Sequence, residues 1–213
     1  MILTKIIPLG FLVTGVFLLT QVILPFVSFE IWQFGQKYEN AILISPNSRQ
    51  DSQVLGVSVQ NKDNFPIFYS TLKRETESPY QEFILTVPKL KIKDALVKVD
   101  SNDLSKSLTH LPGSALPGEK GNVFISGHSA LNRSLSLKVA LFASLSDLKK
   151  GDEIIVDAAS AKFKYQVVNF RVVDPTDLSV INPPDDQGRY ISLMTCVPPG
   201  LNFKRLIVLG KMM

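Results

Sequence analysis

A mainly β domain behind an apolar N-terminal helix is what this sequence predicts, on three observations. Residues 6–29 contain no charged side chain at all. From residue 83 onward, short runs rich in Val, Ile, Phe and Leu alternate with loops of Pro, Gly, Asn and Asp, the pattern of strands and turns. Only residues 136–148 space their apolar members for one helix face, at Leu137, Leu141, Leu145 and Leu148. Strands, one helix and more strands suit a closed or nearly closed β-barrel with a short helical cover. The expected partition is a membrane anchor over 1–29, a juxtamembrane segment serving as linker or lid over 30–80, and the folded domain over 81–213.

The first element is a signal-anchor helix. About 22 residues at about 1.5 Å each cover the roughly 30 Å hydrocarbon core. A cleaved signal peptide is the rival, but the run exceeds the usual apolar region and no small-x-small site follows Phe26. Lys5 is the one cation on the short side, so the N-terminus is expected in the cytoplasm and the domain outside, in a single-pass membrane protein. Trp32, Phe34 and Tyr38 read as an aromatic interface belt, and residues 44–53, rich in Ser, Pro, Asn and Gln, as a linker. Residues 54–59 (VLGVSV) suit a short strand, while 65–69 and 73–79 are left as a stalk or as a segment lying on the domain.

In the folded domain, residues 83–87 (FILTV) and 90–92 read as one strand interrupted by Pro88, and 95–99 as a second. A helical turn is expected over 102–109, then a Pro-Gly loop carrying His110, with no strand to hold it. Residues 122–129 (NVFISGHS) form an apolar strand stopped by Gly127, so that His128 stands at a strand end. The helix over 136–148 would end at Lys149, Lys150 and Gly151, which suit a C-terminal cap. Residues 153–157 and 162–173 form a hairpin whose aromatics, Phe163 and Tyr165, belong to the core. The loop 174–188 carries Asp174, Asp177, Asp185 and Asp186, which do not match a helix-loop-helix calcium spacing and read as turn residues around one helical turn at 176–180. The last two strands are 189–195 and 206–209.

Composition narrows the chemistry. With 213 residues, 45% hydrophobic, 20% charged and a net charge of +4, the chain is globular, and no basic block or aromatic platform supports nucleic-acid binding. One cysteine and two widely spaced histidines exclude an internal disulfide and make a poor zinc set, so neither metal nor cofactor is expected. The lone Cys196 falls at a strand end before Pro198, Pro199 and Gly200, which cannot continue a ladder. A single cysteine is more often a small buried hydrophobe than a nucleophile, so its partners decide. A return strand beginning at Arg205 carries a guanidinium back toward the sulfur, where it favours a thiolate or an oxyanion. The candidate base is His128 at its strand end, in preference to His110.

These residues carry a resemblance. Gly127-His128-Ser129, Thr195-Cys196 and Arg205 in KRLIVLG, with LPGSALPGEKGN at 111–122 upstream, resemble the sortase family of cysteine transpeptidases in the correct order over about the last 130 residues. The resemblance implies a closed β-barrel, with Cys196 as nucleophile, His128 as general acid or base, and Arg205 holding the oxyanion and the substrate. Thr195 either bonds the substrate or fills the sheet. It also implies a sorting-signal peptide (LPxTG-like) on a secreted protein as first substrate and, as second, an amine on a cell-wall peptide or a pilin lysine. The run T-C-x-P-x-G-x-N-x-x-R from Thr195 to Arg205 is most similar to the pilus-assembling (class C-like) sortases. Two features depart from that group: the chain ends at Met213 with no second membrane segment, and 30–80 lacks the Asp-Pro-aromatic lid motif. The alternatives are a thiol peptidase that hydrolyses the same thioester, and a membrane-tethered binding module with an inert cysteine.

Overall fold

The computed structural model describes residues 3–39, 56–62, 65–73, 77–129, 140–200 and 203–213. The chain divides into two compact units, Met1–Ile44 and Ser45–Met213. In the first, helix α1 (Leu3–Glu39) runs past residue 29 without a break. Thr14 and Thr20, which dilute its apolar run, return their hydroxyls to the helix: Oγ1 donates to Gly10 O at 2.9 Å and to Phe17 O at 2.7 Å. Phe11, Leu12, Val13, Phe17 and Leu18 stand exposed along it. Over the described residues taken alone, no helix is long and apolar enough to cross a membrane. The linker over 44–53 lies outside the described residues.

The second unit begins with a hairpin, β1 (Val57–Lys62) and β2 (Phe65–Ser70). The strands that follow are β3 (Glu82–Val87), β4 (Ile92–Lys98), β5 (Leu108–His110), β6 (Gly121–Ser126), β7 (Glu153–Ala158), β8 (Ala161–Val173), β9 (Arg189–Val197) and β10 (Lys204–Met212). They close a barrel in the order β10-β8-β7-β3-β4-β5-β6-β9, antiparallel except for the β4–β5 and β6–β9 pairs. The β7–β8 hairpin forms where the sequence predicts it. Its two-residue turn holds Ala159 and Ser160 at φ 48° and 65°, a geometry that matches the twist of the flanking strands.

Four local expectations are corrected. Pro88 ends β3 by opening a 3-10 turn (Pro88–Leu90), and Lys91 at φ 56° starts a new strand, because proline cannot donate to the ladder. Residues 102–107 form no helical turn, and Leu108–His110 is strand β5. Of the helix expected over 136–148, residues 136–139 lie outside the described residues, and 140–148 form turns and a 3-10 turn, Leu145–Asp147. Phe142, Leu145 and Leu148 are buried there all the same. With no helix to cap, Lys149 instead donates its backbone N–H to Asp152 Oδ2 at 2.8 Å in a turn through Gly151.

Two apolar layers flank the sheet around β6 and β9. Val123, Ile125, Ile191 and Leu193 are fully buried on the barrel side. Their alternates Phe124 and Met194, with Ile207 of β10, point outward and pack with Val57 and Phe68 of the hairpin and Leu178, Val180 and Ile181 of a 3-10 turn. Burial on both faces is nearly continuous along β6 and β9, although β9 carries Ser192 and Thr195 among its apolar residues. The hairpin is fixed by polar bonds as well. Ser70 Oγ donates to Pro112 O at 2.8 Å, and the Ser70 backbone exchanges bonds with the Asn102 amide at 3.2 and 3.1 Å.

Gly127, just past β6, has no room for a side chain: a Cβ there would meet Phe142 Cδ2 at 2.5 Å and Leu108 Cδ2 at 2.6 Å. Gly127→Ala is therefore expected to cost about 1–3 kcal/mol in urea unfolding by overpacking. A midpoint equal to wild type would show that the barrel end repacks freely.

Candidate active site

The site is built by strand register. β9 lies between β6, which it pairs in parallel, and β10, which it pairs antiparallel. On the β6 side Ser126 pairs with Met194, and Gly127 N–H donates to Met194 O at 3.0 Å. Residues two apart share a face, so one step of that kind brings His128 beside Cys196. On the β10 side Arg205 is paired directly with Cys196. Neighbouring strands lie about 4.8 Å apart, so imidazole, sulfur and guanidinium meet on the outer face of three adjacent strands. All three line one cleft, with Phe68, Leu104, Leu111 and Met194 as its apolar wall. Phe68 comes from the hairpin that precedes the barrel.

The surroundings disfavour charge on the thiol and on the imidazole. Burial pushes the Cys196 thiol up, and the Arg205 guanidinium only partly offsets this. Burial pushes the His128 imidazole down against a hydrogen bond with the Leu104 backbone that raises it. At neutral pH both groups are therefore uncharged. Burial also lowers Arg205, opposed by the neighbouring sulfur, yet a guanidinium stays cationic. Its residue is 1% exposed, and NH1 donates to Lys204 O at 3.1 Å. A positive charge so shielded from water acts strongly on negative charge developing beside it.

Two hydroxyls tie the strand ends together. Thr195 is 3% exposed, and its Oγ1 donates to Gly127 O at 3.0 Å, so this hydroxyl is engaged within the sheet even though the residue reaches the cleft. Ser129 Oγ donates to Cys196 O at 2.8 Å. Sequence reasoning named Ser129 only as the last residue of the Gly127-His128-Ser129 motif and gave it no role.

His110 sits on β5, contrary to the expected loop, and it faces the other side of the sheet. It is fully buried, edge-on to Phe83. Ser114 Oγ at 2.8 Å and Asp100 Oδ1 at 3.3 Å give it the residue types of a hydrolytic triad. The hydrogen bonds argue otherwise. Nδ1 accepts from the Asp100 backbone N–H at 3.3 Å, Nε2 donates to Ala115 O at 2.9 Å, and the Ser114 hydroxyl donates to Leu111 O at 2.8 Å. That assignment leaves no base for the serine, and the cluster instead closes the loop after β5. The acids of loop 174–188 serve as turn and ion-pair residues: Asp177 accepts from Ser179, Asp185 from Gln187, Gly188 and Tyr190, and Asp174 from Lys204.

Comparison with known proteins bears on the family and the fold. The family model described as "Sortase domain" matches residues 85–213. Sortase D of Bacillus subtilis (strain 168) is 31% identical over 132 residues, covering 60% of this chain and 62% of that protein. Sortase A of Bacillus anthracis is 35% identical over 92 residues, covering 43% and 40%. The chain thus spans less than two thirds of these curated relatives. Among solved structures, a lid mutant of sortase A from Corynebacterium diphtheriae superposes with a TM-score of 0.55 at 29% identity, over 65% of this chain and 73% of that one. The pilus-related sortase C of Group B Streptococcus gives 0.55 at 32%, over 64% and 69%.

The two histidines should separate cleanly by mutation. His110→Ala is expected to lose about 1–3 kcal/mol of stability by leaving buried groups unpaired, and the half-buried His128→Ala to lose less, about 1 kcal/mol or below. Urea unfolding checks this, and the reverse order would exchange their roles.

Proposed function

The chain belongs to the sortase family, and on that premise we propose that it is a membrane-anchored cysteine transpeptidase acting on a C-terminal sorting signal of LPxTG type. The observation that carries the reading is the pairing of Cys196 with Arg205 on one side and its alignment with the His128 strand end on the other. Cys196 attacks the threonyl carbonyl of the extended peptide. The sulfur–carbon bond forms, the carbon–nitrogen bond breaks, and the thiol proton passes through the imidazole to the departing amine. In the second half the incoming amine gives its proton to the imidazole and attacks the thioester, and the sulfur leaves and regains a proton. The acceptor is an amine on a cell-wall peptide or a pilin lysine.

Arg205 donates to the carbonyl oxygen as charge gathers there, a role typically worth about 2.7–4 kcal/mol in the transition state. Its burial among the strand ends supports this, because the donor is held in place before the reaction begins. Thr195 acts through the sheet by holding Gly127. The cleft wall of Phe68, Leu104, Leu111 and Met194 suits an apolar side chain of the peptide. Anchoring by the charge-free run 6–29, with the N-terminus cytoplasmic and the domain outside, is supported by the sequence and by the exposed apolar side chains of α1.

Mass spectrometry of the protein mixed with a sorting-signal peptide is expected to reveal a thioester adduct in wild type and none in Cys196→Ala. Added amine should convert the adduct to a transfer product, whereas exclusive hydrolysis at high amine would make the protein a thiol peptidase, and an unmodified thiol a binding module. The acylation rate should follow a bell in pH. Since His128 is shifted down and Cys196 up, its acid limb should lie below about 6.5 and its alkaline limb above about 8.5. An acid limb above the ordinary histidine value, measured by stopped-time acylation across pH, would contradict the buried imidazole.

A further inference from the structure

We propose that Ser129 is a positioning residue for Cys196, its hydroxyl standing in for a backbone rung and holding the nucleophile's peptide beside the histidine. The inference rests on reading Cys196 and His128 as the reacting pair, and it starts from the hydrogen-bond pattern of a parallel ladder. Residues that direct their N–H and C=O toward a given neighbour recur every second position. On the β6 edge of β9, Met194 O takes the Gly127 N–H at 3.0 Å. The next acceptor along that edge is Cys196 O, and the donor that would meet it in a continuing ladder is the backbone N–H of residue 129.

The ladder does not continue. β6 ends at Ser126, and beyond it His128 O turns to accept from Phe142 N at 3.2 Å. That departure removes the backbone donor from the carbonyl of Cys196. Ser129 supplies a side-chain donor in its place, at 2.8 Å. With Thr195 Oγ1 on Gly127 O at 3.0 Å, two hydroxyls from opposite strands bracket His128. One is on the histidine's strand end and grips the cysteine peptide; the other is on the cysteine's strand and grips the glycine before the histidine.

A residue that only tied down a strand end would change stability and leave the chemistry of the thiol alone. A positioning residue must change the thiol itself, because the sulfur's balance between thiol and thiolate depends on its place next to Arg205. Ser129→Ala lets the Cys196 peptide drift from that charge. Ser129→Thr keeps the hydroxyl.

The test uses the full chain in detergent and follows iodoacetamide modification of Cys196 by mass spectrometry across pH; as the chain has one cysteine, the signal is unambiguous. Ser129→Ala should be alkylated about tenfold more slowly at neutral pH, with the alkaline limb displaced upward by about one unit, and Ser129→Thr should recover to within about twofold. The proposal is overturned if the alanine profile superimposes on wild type, if threonine is as slow as alanine, or if the slowing tracks a loss of folded protein by circular dichroism. Because alkylation needs no peptide, failure of wild type to form an acyl-enzyme would sink the transpeptidase reading while the comparison of variants still decides the role of Ser129.

Discussion

The pairing of β9 with β6 on one edge and β10 on the other is the constraint from which the rest follows. His128 is remote in the chain from Cys196 and Arg205, and no local segment could bring all three together. A parallel neighbour that ends at Ser126, opposite Met194, delivers His128 two residues beyond its end, and an antiparallel neighbour delivers Arg205 directly opposite the sulfur. Because side chains alternate, a slip of one residue in either register would turn its partner to the opposite face. The closed barrel leaves the central pairs no free edge along which to slip.

Covering the outer face is the second requirement, and the barrel does not meet it alone. The β1–β2 hairpin and the 3-10 turn at Leu178–Ile181 pack over Phe124, Met194 and Ile207, and Phe68 of the hairpin also reaches the cleft. Part of the site therefore comes from residues ahead of the segment 85–213 that the family model matches. The same cover takes water away from Cys196 and His128, which moves their proton affinities apart and leaves both neutral at rest. A neutral thiol is a poorer target for adventitious oxidation than a thiolate.

Much of this was legible in the sequence, and the failures have identifiable causes. Cys196, His128 and Arg205 announced themselves because each stands at a strand end next to residues that stop a ladder: Gly127, and the pair Pro198-Pro199. The β7–β8 hairpin was legible from the alternation of Phe163, Tyr165 and Val167 with lysine and glutamine. The helix predicted over 136–148 was not found in its described part, because leucine spacing alone cannot distinguish a helix face from buried turns punctuated by Ser144, Ser146 and Asp147. His110 was misplaced since a three-residue strand followed by two Pro-Gly pairs carries almost no periodicity. The cover over the outer face was invisible for another reason. Residues 57–70 show their purpose only once Phe124 and Met194 are known to face away from the barrel. Ser129 was hidden in the same way, its role depending on a ladder rung that breaks.

The most direct test of the account is a crystal structure of the protein with a sorting-signal peptide analogue linked to Cys196 as a mimic of the acyl-enzyme. The account predicts the acyl carbonyl oxygen within about 2.7–3.1 Å of the Arg205 guanidinium, with the His128 imidazole on the side from which the amine leaves and arrives. An acyl oxygen directed away from Arg205, toward solvent or toward the barrel interior, would contradict it.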